Sequence, residues 1–175
     1  MISFRRVSLQ LLALVTLFGF LSLPAAAQSA RGPSTPEERA RILKIDADSR
    51  KDPIGVAAAN GAWFEQWISD VPDVTLNPEA VAKWCVRSAK GELRKTIQFQ
   101  FGVGAIAYQL AHNLPDPKQA DDVSAVNLAA LESVLAAYET LLAKDENNRS
   151  PKMDEALARR NKGELAAFAA AIAAQ

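Results

Sequence analysis

The stretch that decides the fold is residues 122–144, which read DVSAVNLAALESVLAAYETLLAK. Counted from Leu131, its large apolar residues fall at offsets 0, 3, 4, 7, 10 and 11, and they are Leu131, Val134, Leu135, Tyr138, Leu141 and Leu142. This spacing places all of them along one side of an α-helix. The stretch therefore predicts a long amphipathic helix that packs its apolar side against other elements.

The preceding segment, residues 92–112, is apolar enough to form the centre of the fold. Ile97, Phe99, Phe101 and Val103 alternate with polar residues or glycine, which is a strand pattern, but the same residues also fit a helix. We favour the helix because the apolar character continues past the usual length of a strand. A helix that is apolar on nearly all sides is a buried one. Its small residues, Gly102, Gly104, Ala105 and Ala107, should let a neighbouring helix approach closely.

Shorter helices are predicted on both sides of this pair. Thr35, Pro36 and Glu38 form a helix start with a capping box, and this first helix should end before Asp52. A second helix is expected over 53–69, with an apolar face made of Ile54, Ala57, Ala58, Gly61, Phe64 and Ile68. A third should begin at Asn77 and Pro78, and two more should follow Ser150 and Gly163, with Pro115 ending the central helix. No strand pair is evident, so the predicted class is all-α, a single-domain bundle of about six or seven helices.

The first thirty residues have the order of a secretory signal peptide. Arg5 and Arg6 precede a mostly apolar run over 7–23, and Pro24 and the Ala25-Ala26-Ala27 triplet follow it. This order predicts export with cleavage near Ala27, an uncleaved anchor helix being the alternative. The predicted organisation is a signal peptide over 1–27, a flexible leader over 28–34 and one helical domain over 35–175. The alanine content and the short signal indicate a bacterial protein of the periplasm, or a secreted one.

Composition excludes several classes of function. The chain has 20 basic and 20 acidic residues, and cleavage would leave 18 and 20, a formal charge of −2. Nucleic-acid binders are usually basic, so no nucleic-acid partner is expected. One His and one Cys cannot form a zinc site of the usual kind, so neither a metal nor a cofactor is expected. No stretch after the N-terminal segment looks long and apolar enough to span a bilayer.

Two resemblances follow from these patterns. Residues 134–142, with the turn Asp145-Glu146-Asn147 after them, resemble the second helix of a tetratricopeptide repeat, although Glu146 stands where that family prefers Pro. More broadly, the chain resembles small exported all-helical bacterial proteins of unassigned function. In those proteins a Trp-rich helix ends at a Val-Pro-Asp turn, as at residues 71–73 here. The first resemblance implies a helical hairpin, and the second implies a group of proteins without an activity.

Three tryptophans are the strongest candidates for a binding site. Trp63 and Trp67 lie one helical turn apart, and Trp84 lies on the next predicted helix. Tryptophan is enriched in ligand pockets and protein interfaces, so the three could line a pocket or a groove for a partner. Large aromatic residues are equally an ordinary filling of a helical core.

Other chemically active residues give weaker indications. We expect His112 to cap its helix or lie on the surface, and Cys85 to be a buried thiol, an intermolecular disulfide being the alternative. Asp116, Asp121 and Asp122 lack the spacing of a calcium loop. Arg159, Arg160 and Lys162 are interpreted as the only compact basic group of the mature chain, and as a solvated helix end.

No catalytic residue is predicted, because no nucleophile–base or metal set can be assembled from these residues. The leading hypothesis is a non-enzymatic exported protein, a protein–protein interaction module that binds an envelope protein through a helix-hairpin surface. The alternative is a small-molecule or lipid-binding bundle in which Trp63, Trp67 and Trp84 line a pocket. A third hypothesis is an enzyme that uses carboxylates alone, such as Glu65 or Asp70, although nothing in the sequence pairs them.

Overall fold

The computed structural model describes residues 31–76, 80–91, 93–114 and 117–175. Within these ranges the chain forms no strand, and its elements are seven α-helices and one short 3₁₀ turn, so the all-α prediction is confirmed. The helices are α1 (Pro36–Ser49), α2 (Pro53–Asp70), α3 (Ala80–Ser88), α4 (Leu93–His112), α5 (Ala120–Lys144), α6 (Pro151–Asn161) and α7 (Leu165–Ala173), with the 3₁₀ turn at Glu146–Asn148.

Some of the sequence predictions lie outside the described residues. They are the signal peptide over 1–27, the leader up to residue 30, the helix start at Asn77 and Pro78, and the positions of Pro115 and Asp116.

Helix α4 is the centre of the bundle, which confirms the helical interpretation of its ambiguous sequence. Every residue from 99 to 107 is buried, and the helix packs against α1, α2, α3 and most extensively α5. Burial on all sides explains why the sequence is apolar at both helical and strand spacing. A central helix has no solvent face on which polar residues would mark the period.

Glycines in α4 allow its neighbours to approach closely, as the sequence predicts. A Cβ added at Gly104 would lie 2.6 Å from the Cβ of Ser133 on α5. At Gly102 the added atom would lie 3.0 Å from the Phe64 ring of α2. Because both contacts are shorter than ordinary carbon–carbon packing, a larger residue at either position would push α4 away from its partner.

Two groups of buried side chains lie on opposite sides of α4. The larger group joins α3, α4, α5, α6 and α7 and includes Cys85, Leu131, Leu135, Tyr138 and Met153. The smaller group joins α1, α2 and α4 and includes Ile42, Phe64, Trp67, Val103 and Ile106. The α1–α2 pair is therefore a two-helix layer that reaches the rest of the bundle mainly through α4.

A buried polar junction ties α1 to α4 and α5. The Ser133 hydroxyl donates to Asp46 Oδ1 at 2.5 Å and accepts from Gln100 Nε2 at 2.6 Å. Asp46 Oδ2 accepts from the Arg50 guanidinium at 2.6 Å. Gln100 and Ser133 are fully buried, and Asp46 is 9% exposed. The junction fixes the position of α1 on the bundle because each of its three helices supplies a side chain.

Several helix ends follow the predicted capping chemistry. Glu38 N–H donates to Thr35 Oγ1 at 3.3 Å and Thr35 N–H donates to Glu38 Oε2 at 3.0 Å, which is the predicted capping box. At the end of α5 the Tyr138 hydroxyl accepts from Ser150 N–H at 2.7 Å and lies 2.8 Å from Asp154 Oδ1. Tyr138 therefore joins α5 to the first turn of α6.

Helix α5 passes the length and composition test for a membrane span. Its segment Asp121–Lys144 has a mean hydropathy of 1.3 over the best window, so the expectation that no such stretch follows the N-terminal segment was wrong. More than half of that window is buried inside the bundle. This burial explains the high hydropathy, because the central helices of a soluble bundle pass the same test.

Candidate interaction surface

The three tryptophans predicted as one site lie in two separate places. Trp63 and Trp67 stack on α2 with ring centroids 5.7 Å apart, as their four-residue spacing predicts. Trp84 lies on α3 and packs edge-to-face on Phe168 of α7, with ring centroids 5.5 Å apart. The first two belong to the smaller buried group and Trp84 packs on the larger one. The structure therefore does not join them in one groove.

Trp67 is a core residue. Its side chain is 2% exposed and stacks against Phe64, which in turn packs edge-to-face on Phe99 of α4 at 5.6 Å. The indole Nε1 is buried and forms no hydrogen bond of standard geometry. The Glu38 carboxylate is its nearest acceptor, since the pKa of Glu38 is lowered by the Thr35 N–H and, to a smaller extent, by the Trp67 indole. The large apolar surface of the ring accounts for its position in the core.

Trp63 lies at the surface and has a cation over its ring. The Arg41 guanidinium carbon is 3.6 Å from the centroid of the Trp63 ring, and Arg41 also donates to Asn60 Oδ1 at 3.3 Å. Cation–π contacts of this kind contribute about 0.5–1 kcal/mol at exposed sites. Arg41 and Trp63 thus form an ordered pair on the outside of the α1–α2 layer.

Two small cavities lie away from the tryptophans. One, of about 20 Å³, lies between α4 and the start of α5, beside Gln109 and Asn127. The other, of about 10 Å³, lies beside Tyr138 and Met153. A single water needs about 10–15 Å³ by the same measure, so these two spaces suit water rather than a metabolite. Neither is lined by one of the three tryptophans.

Helix α2 exposes an apolar surface instead of burying it. Residues 53–64 contain no charged side chain, yet of residues 53–63 only Pro53 is buried. The exposed positions fall on one side of the helix and form the α2 apolar face, defined as Ile54, Gly55, Ala58, Ala59 and Ala62. Ile54 is 50% exposed and Leu43 on the adjacent α1 is 43% exposed. An uncharged helix of this kind is normally covered by a neighbour.

The exposed face corrects the predicted packing of α2. The sequence places Ile54, Ala58 and Phe64 on one buried side, but Ile54 and Ala58 are exposed and the buried side chains are Pro53, Phe64 and Trp67. The reason is tertiary, because the C-terminal part of α2 packs against α4 near Gly102. Hydrophobic spacing alone could not indicate that the first half of α2 lacks such a neighbour.

His112 lies on the surface at the end of α4. The exposed His112 stacks on Tyr108 at 4.1 Å instead of capping α4. The cap is Asn113, whose φ of 53° lets Leu114 N–H donate to the Gln109 carbonyl at 2.9 Å.

Cys85 is fully buried, and burial raises the pKa of its thiol. The buried-thiol interpretation of Cys85 therefore agrees with the geometry, and a disulfide to another chain would require local unfolding.

The acidic candidates that the structure describes lie on two separate helices, α2 and α5. Asp70 accepts hydrogen bonds from Gln66 and Ser69 on its own helix, and Asp121 and Asp122 lie in the first turn of α5. Among the described residues no group of three His, Cys, Asp or Glu side chains is close enough to hold a metal ion.

Asp73 fastens the start of α1 to the turn after α2. Its carboxylate accepts from Ser34 N–H and Ser34 Oγ, each at 2.7 Å, and from Arg39 Nη2 at 2.8 Å. Burial by itself would raise the pKa of Asp73, but the hydrogen bonds from Ser34 and Arg39 outweigh it and leave the pKa lowered. The Val-Pro-Asp turn at residues 71–73 is therefore an attachment point for the chain that enters α1.

We expect this attachment to make stability depend on acid pH. Because the folded pKa of Asp73 lies below the unfolded value of about 3.9, its contribution is complete above that value and is lost as the pH falls through the folded pKa. Asp73→Asn should lower the free energy of unfolding by about 1–2 kcal/mol at pH 7 and by less near pH 2. Urea titrations at several pH values measure this difference. Asp70→Asn, in the same region, should change stability by under about 0.5 kcal/mol, and an equal loss there would contradict the assignment.

The basic residues are distributed differently from the sequence expectation. Arg159 pairs with Glu164 at 2.9 Å and Arg160 pairs with Glu139 at 2.6 Å, so that predicted group is largely neutralised. A second basic group surrounds the turn between α3 and α4, within residues 83–95. It was not predicted from the sequence because its members are spread over thirteen positions and Glu92 lies among them. Folding brings the ends of the two helices together.

Comparison with known proteins gives no assignment. No protein-family model matches the chain, and no curated protein or solved structure shows significant similarity to it. The functional argument therefore depends on the geometry of the site.

Proposed function

We propose that this protein is a non-enzymatic interaction module that binds an apolar helix of another protein through the α2 apolar face. The observation that carries the proposal is the exposure of an uncharged helical surface, from Ile54 to Ala62, in which the large side chain of Ile54 is half exposed. Helix α7 is also uncharged, but its exposed residues are all alanines. Exposed apolar surface that is contiguous is typical of a site for a partner.

The composition of the face suits a helix as the partner. Gly55 and Ala59 are four residues apart, as are Ala58 and Ala62, so two rows of small side chains follow the axis of α2. Small residues let two helices approach closely, so that side chains of one helix contact the backbone of the other. Trp63 borders the face and carries Arg41 over its ring, and Trp and Arg are the residue types most often found at energetic centres of interfaces.

The rival function, a small-molecule or lipid-binding bundle, has less support. The two cavities described above have volumes of about 20 and 10 Å³, which are too small for a metabolite. Trp67 lines neither cavity and is packed against aromatic neighbours. An apolar ligand of metabolite size needs a pocket of about 300 Å³ or more.

The proposed location is the bacterial envelope, after cleavage near Ala27. Its support is the order of charged, apolar and small residues in the first thirty positions. Residues 134–147, whose sequence resembles the second helix of a tetratricopeptide repeat and the turn after it, are consistent with an interaction role. An envelope protein is accordingly the proposed partner.

Site-specific photocrosslinking tests the proposed surface. A benzoylphenylalanine at Ile54 should form a crosslinked product in envelope preparations, because the partner lies within reach of the exposed position. The same probe at Ala158, which is exposed on α6, is the matched control and should give little product. A product that consists of two copies of this chain would contradict a heterologous partner and would assign the face to self-association.

A charged substitution should remove the product without unfolding the protein. Ala58→Glu places a carboxylate in the face, where a partner would have to bury it, so we expect at least about a tenfold loss of crosslinking. Ala158→Glu is the control, and both variants should keep the melting temperature within about 2 °C because both sites are exposed. Unchanged crosslinking in Ala58→Glu would rule out the face.

A further inference from the structure

Five exposed cations surround the turn between α3 and α4. This charged surface lies on different helices from the α2 apolar face. We call them the basic patch, and they are Lys83, Arg87, Lys90, Arg94 and Lys95. The segment 80–95 contains one acidic residue, Glu92, so its formal charge is +4 in a chain whose total is zero. The neutrality of the whole sequence therefore hides a local concentration of positive charge.

The geometry of the turn gathers these side chains. Lys83 and Arg87 are four residues apart on α3 and so lie on one side of it. Leu93 N–H donates to the Lys90 carbonyl at 3.1 Å, which closes a tight turn into α4. Arg94 Nε then donates to the Ala89 carbonyl at 3.2 Å, so the Arg94 side chain folds back over the end of α3.

Among the described residues, no carboxylate pairs with a cation of the basic patch. None of the five forms a salt bridge in the described part of the chain, whereas Arg39, Arg50, Arg149 and Arg160 all do. Surface cations in this protein are commonly paired, so the grouping of five without acidic partners is a local feature. The patch is a site of positive potential that remains available to an anion.

Two residues of the basic patch lie where the dipole of α4 disfavours a positive charge. Arg94 and Lys95 lie in the first turn of α4, where the helix dipole is positive and acidic residues are favoured. A cation there destabilises the helix slightly. The hydrogen bond to the Ala89 carbonyl accounts for Arg94, but the fold gives no such reason for Lys95. A bound anion would relieve the repulsion at both positions.

We propose that the basic patch binds the anionic headgroups of a phospholipid membrane surface. Clusters of four to eight Lys and Arg residues are a recognised basis of such binding. Trp84, next to Lys83, is partly exposed, and tryptophan is enriched at the level of lipid headgroups. Three of the five cations are lysines, which are depleted in protein interfaces, so an acidic protein is the less suitable partner.

This membrane contact is separate from the proposed partner site. The basic patch lies on α3 and α4, and the α2 apolar face lies on the α1–α2 layer, so one protein could hold a partner while it rests on a membrane. The two proposals have different experiments, and loss of either surface leaves the other testable.

Vesicle co-sedimentation tests the membrane proposal directly. The protein, purified as the cell produces it, should bind phosphatidylcholine vesicles that contain about 30% phosphatidylglycerol and should bind pure phosphatidylcholine vesicles much less. Neutralisation of three patch residues, Lys83→Gln, Arg87→Gln and Lys90→Gln together, should lower the partition coefficient about a hundredfold, at about fivefold for each charge. Added salt should weaken binding of the unaltered protein because the headgroup attraction is screened.

A second triple variant with the same change of net charge is the control. Lys44→Gln, Lys118→Gln and Lys162→Gln alter exposed residues on other elements and should leave vesicle binding within about threefold of the unaltered protein. An equal loss in both triple variants would assign the attraction to net charge and overturn the proposal. Equal binding to both kinds of vesicle would overturn it as well, and so would binding to polyglutamate without binding to vesicles.

Discussion

Replacing Trp67 by alanine should lower the free energy of unfolding by about 3–5 kcal/mol. The indole is 2% exposed, stacks on Phe64 and Trp63, and lies in the contact between α2 and α4. Its removal deletes a large buried apolar surface and leaves a cavity that Phe64 and Phe99 cannot fill. Since a small domain is stable by only about 5–15 kcal/mol, the variant should unfold at markedly lower urea concentration.

Trp63→Ala is the matched control on the same helix. Trp63 is partly exposed and keeps one ring face in contact with Arg41, so its loss should cost only about 1 kcal/mol. Circular dichroism at increasing urea concentration measures both variants. Equal losses would contradict the assignment of Trp67 to the core and Trp63 to the surface.

The same pair of variants separates stability from binding. Trp63→Ala should remain folded and weaken the Ile54 photocrosslink, because Trp63 borders the α2 apolar face. Trp67→Phe should retain most of the stability, since the smaller ring still fills much of the site.

Asp46→Ala should destabilise the protein by about 2–4 kcal/mol. The carboxylate accepts from the buried Ser133 hydroxyl and from Arg50, and its loss leaves the Ser133 donor without a charged acceptor in a closed junction of three helices. Water cannot readily replace the carboxylate there, because Gln100 and Ser133 are fully buried. We expect the urea midpoint to fall with little change in the slope of the transition.

Asp48→Ala is the control for the buried junction, two residues further along α1. Asp48 pairs with Lys44 at 2.5 Å on the exposed side of the helix, and such pairs contribute under about 0.5 kcal/mol. Ser133→Ala tests the junction from α5 and should reproduce part of the Asp46→Ala loss. If Asp46→Ala were as stable as Asp48→Ala, the junction would not hold α1 in place.

Local sequence patterns predict several features of this fold correctly. The capping box at Thr35, the long helix that contains Leu131 and Tyr138, and the small residue Gly104 at a helix contact are all confirmed. The sequence pattern behind each prediction lies within about one or two turns of a single helix. The exposure of Ile54 was missed because it depends on whether another helix covers that side.

The basic patch gives the clearest example of a feature that only folding creates. Lys83 and Lys95 are twelve residues apart and belong to different helices, and the sequence between them includes an acidic residue. The tight turn at Lys90 and the contact of Arg94 with the end of α3 bring the positive charges to one place. A count of charges over the whole chain averages this concentration to zero.

The sequence by itself determined the all-α class, the central position of α4 and the positions of several helix ends. It could do so because helix periodicity and capping are set by residues three or four positions apart. Only the tertiary structure decided that Trp67 is buried while Trp63 is partly exposed, that Trp84 lies apart from both, and that α2 keeps an uncovered apolar face. The physical reason is that burial and charge density depend on which helices meet, and those contacts join residues that are distant in the chain.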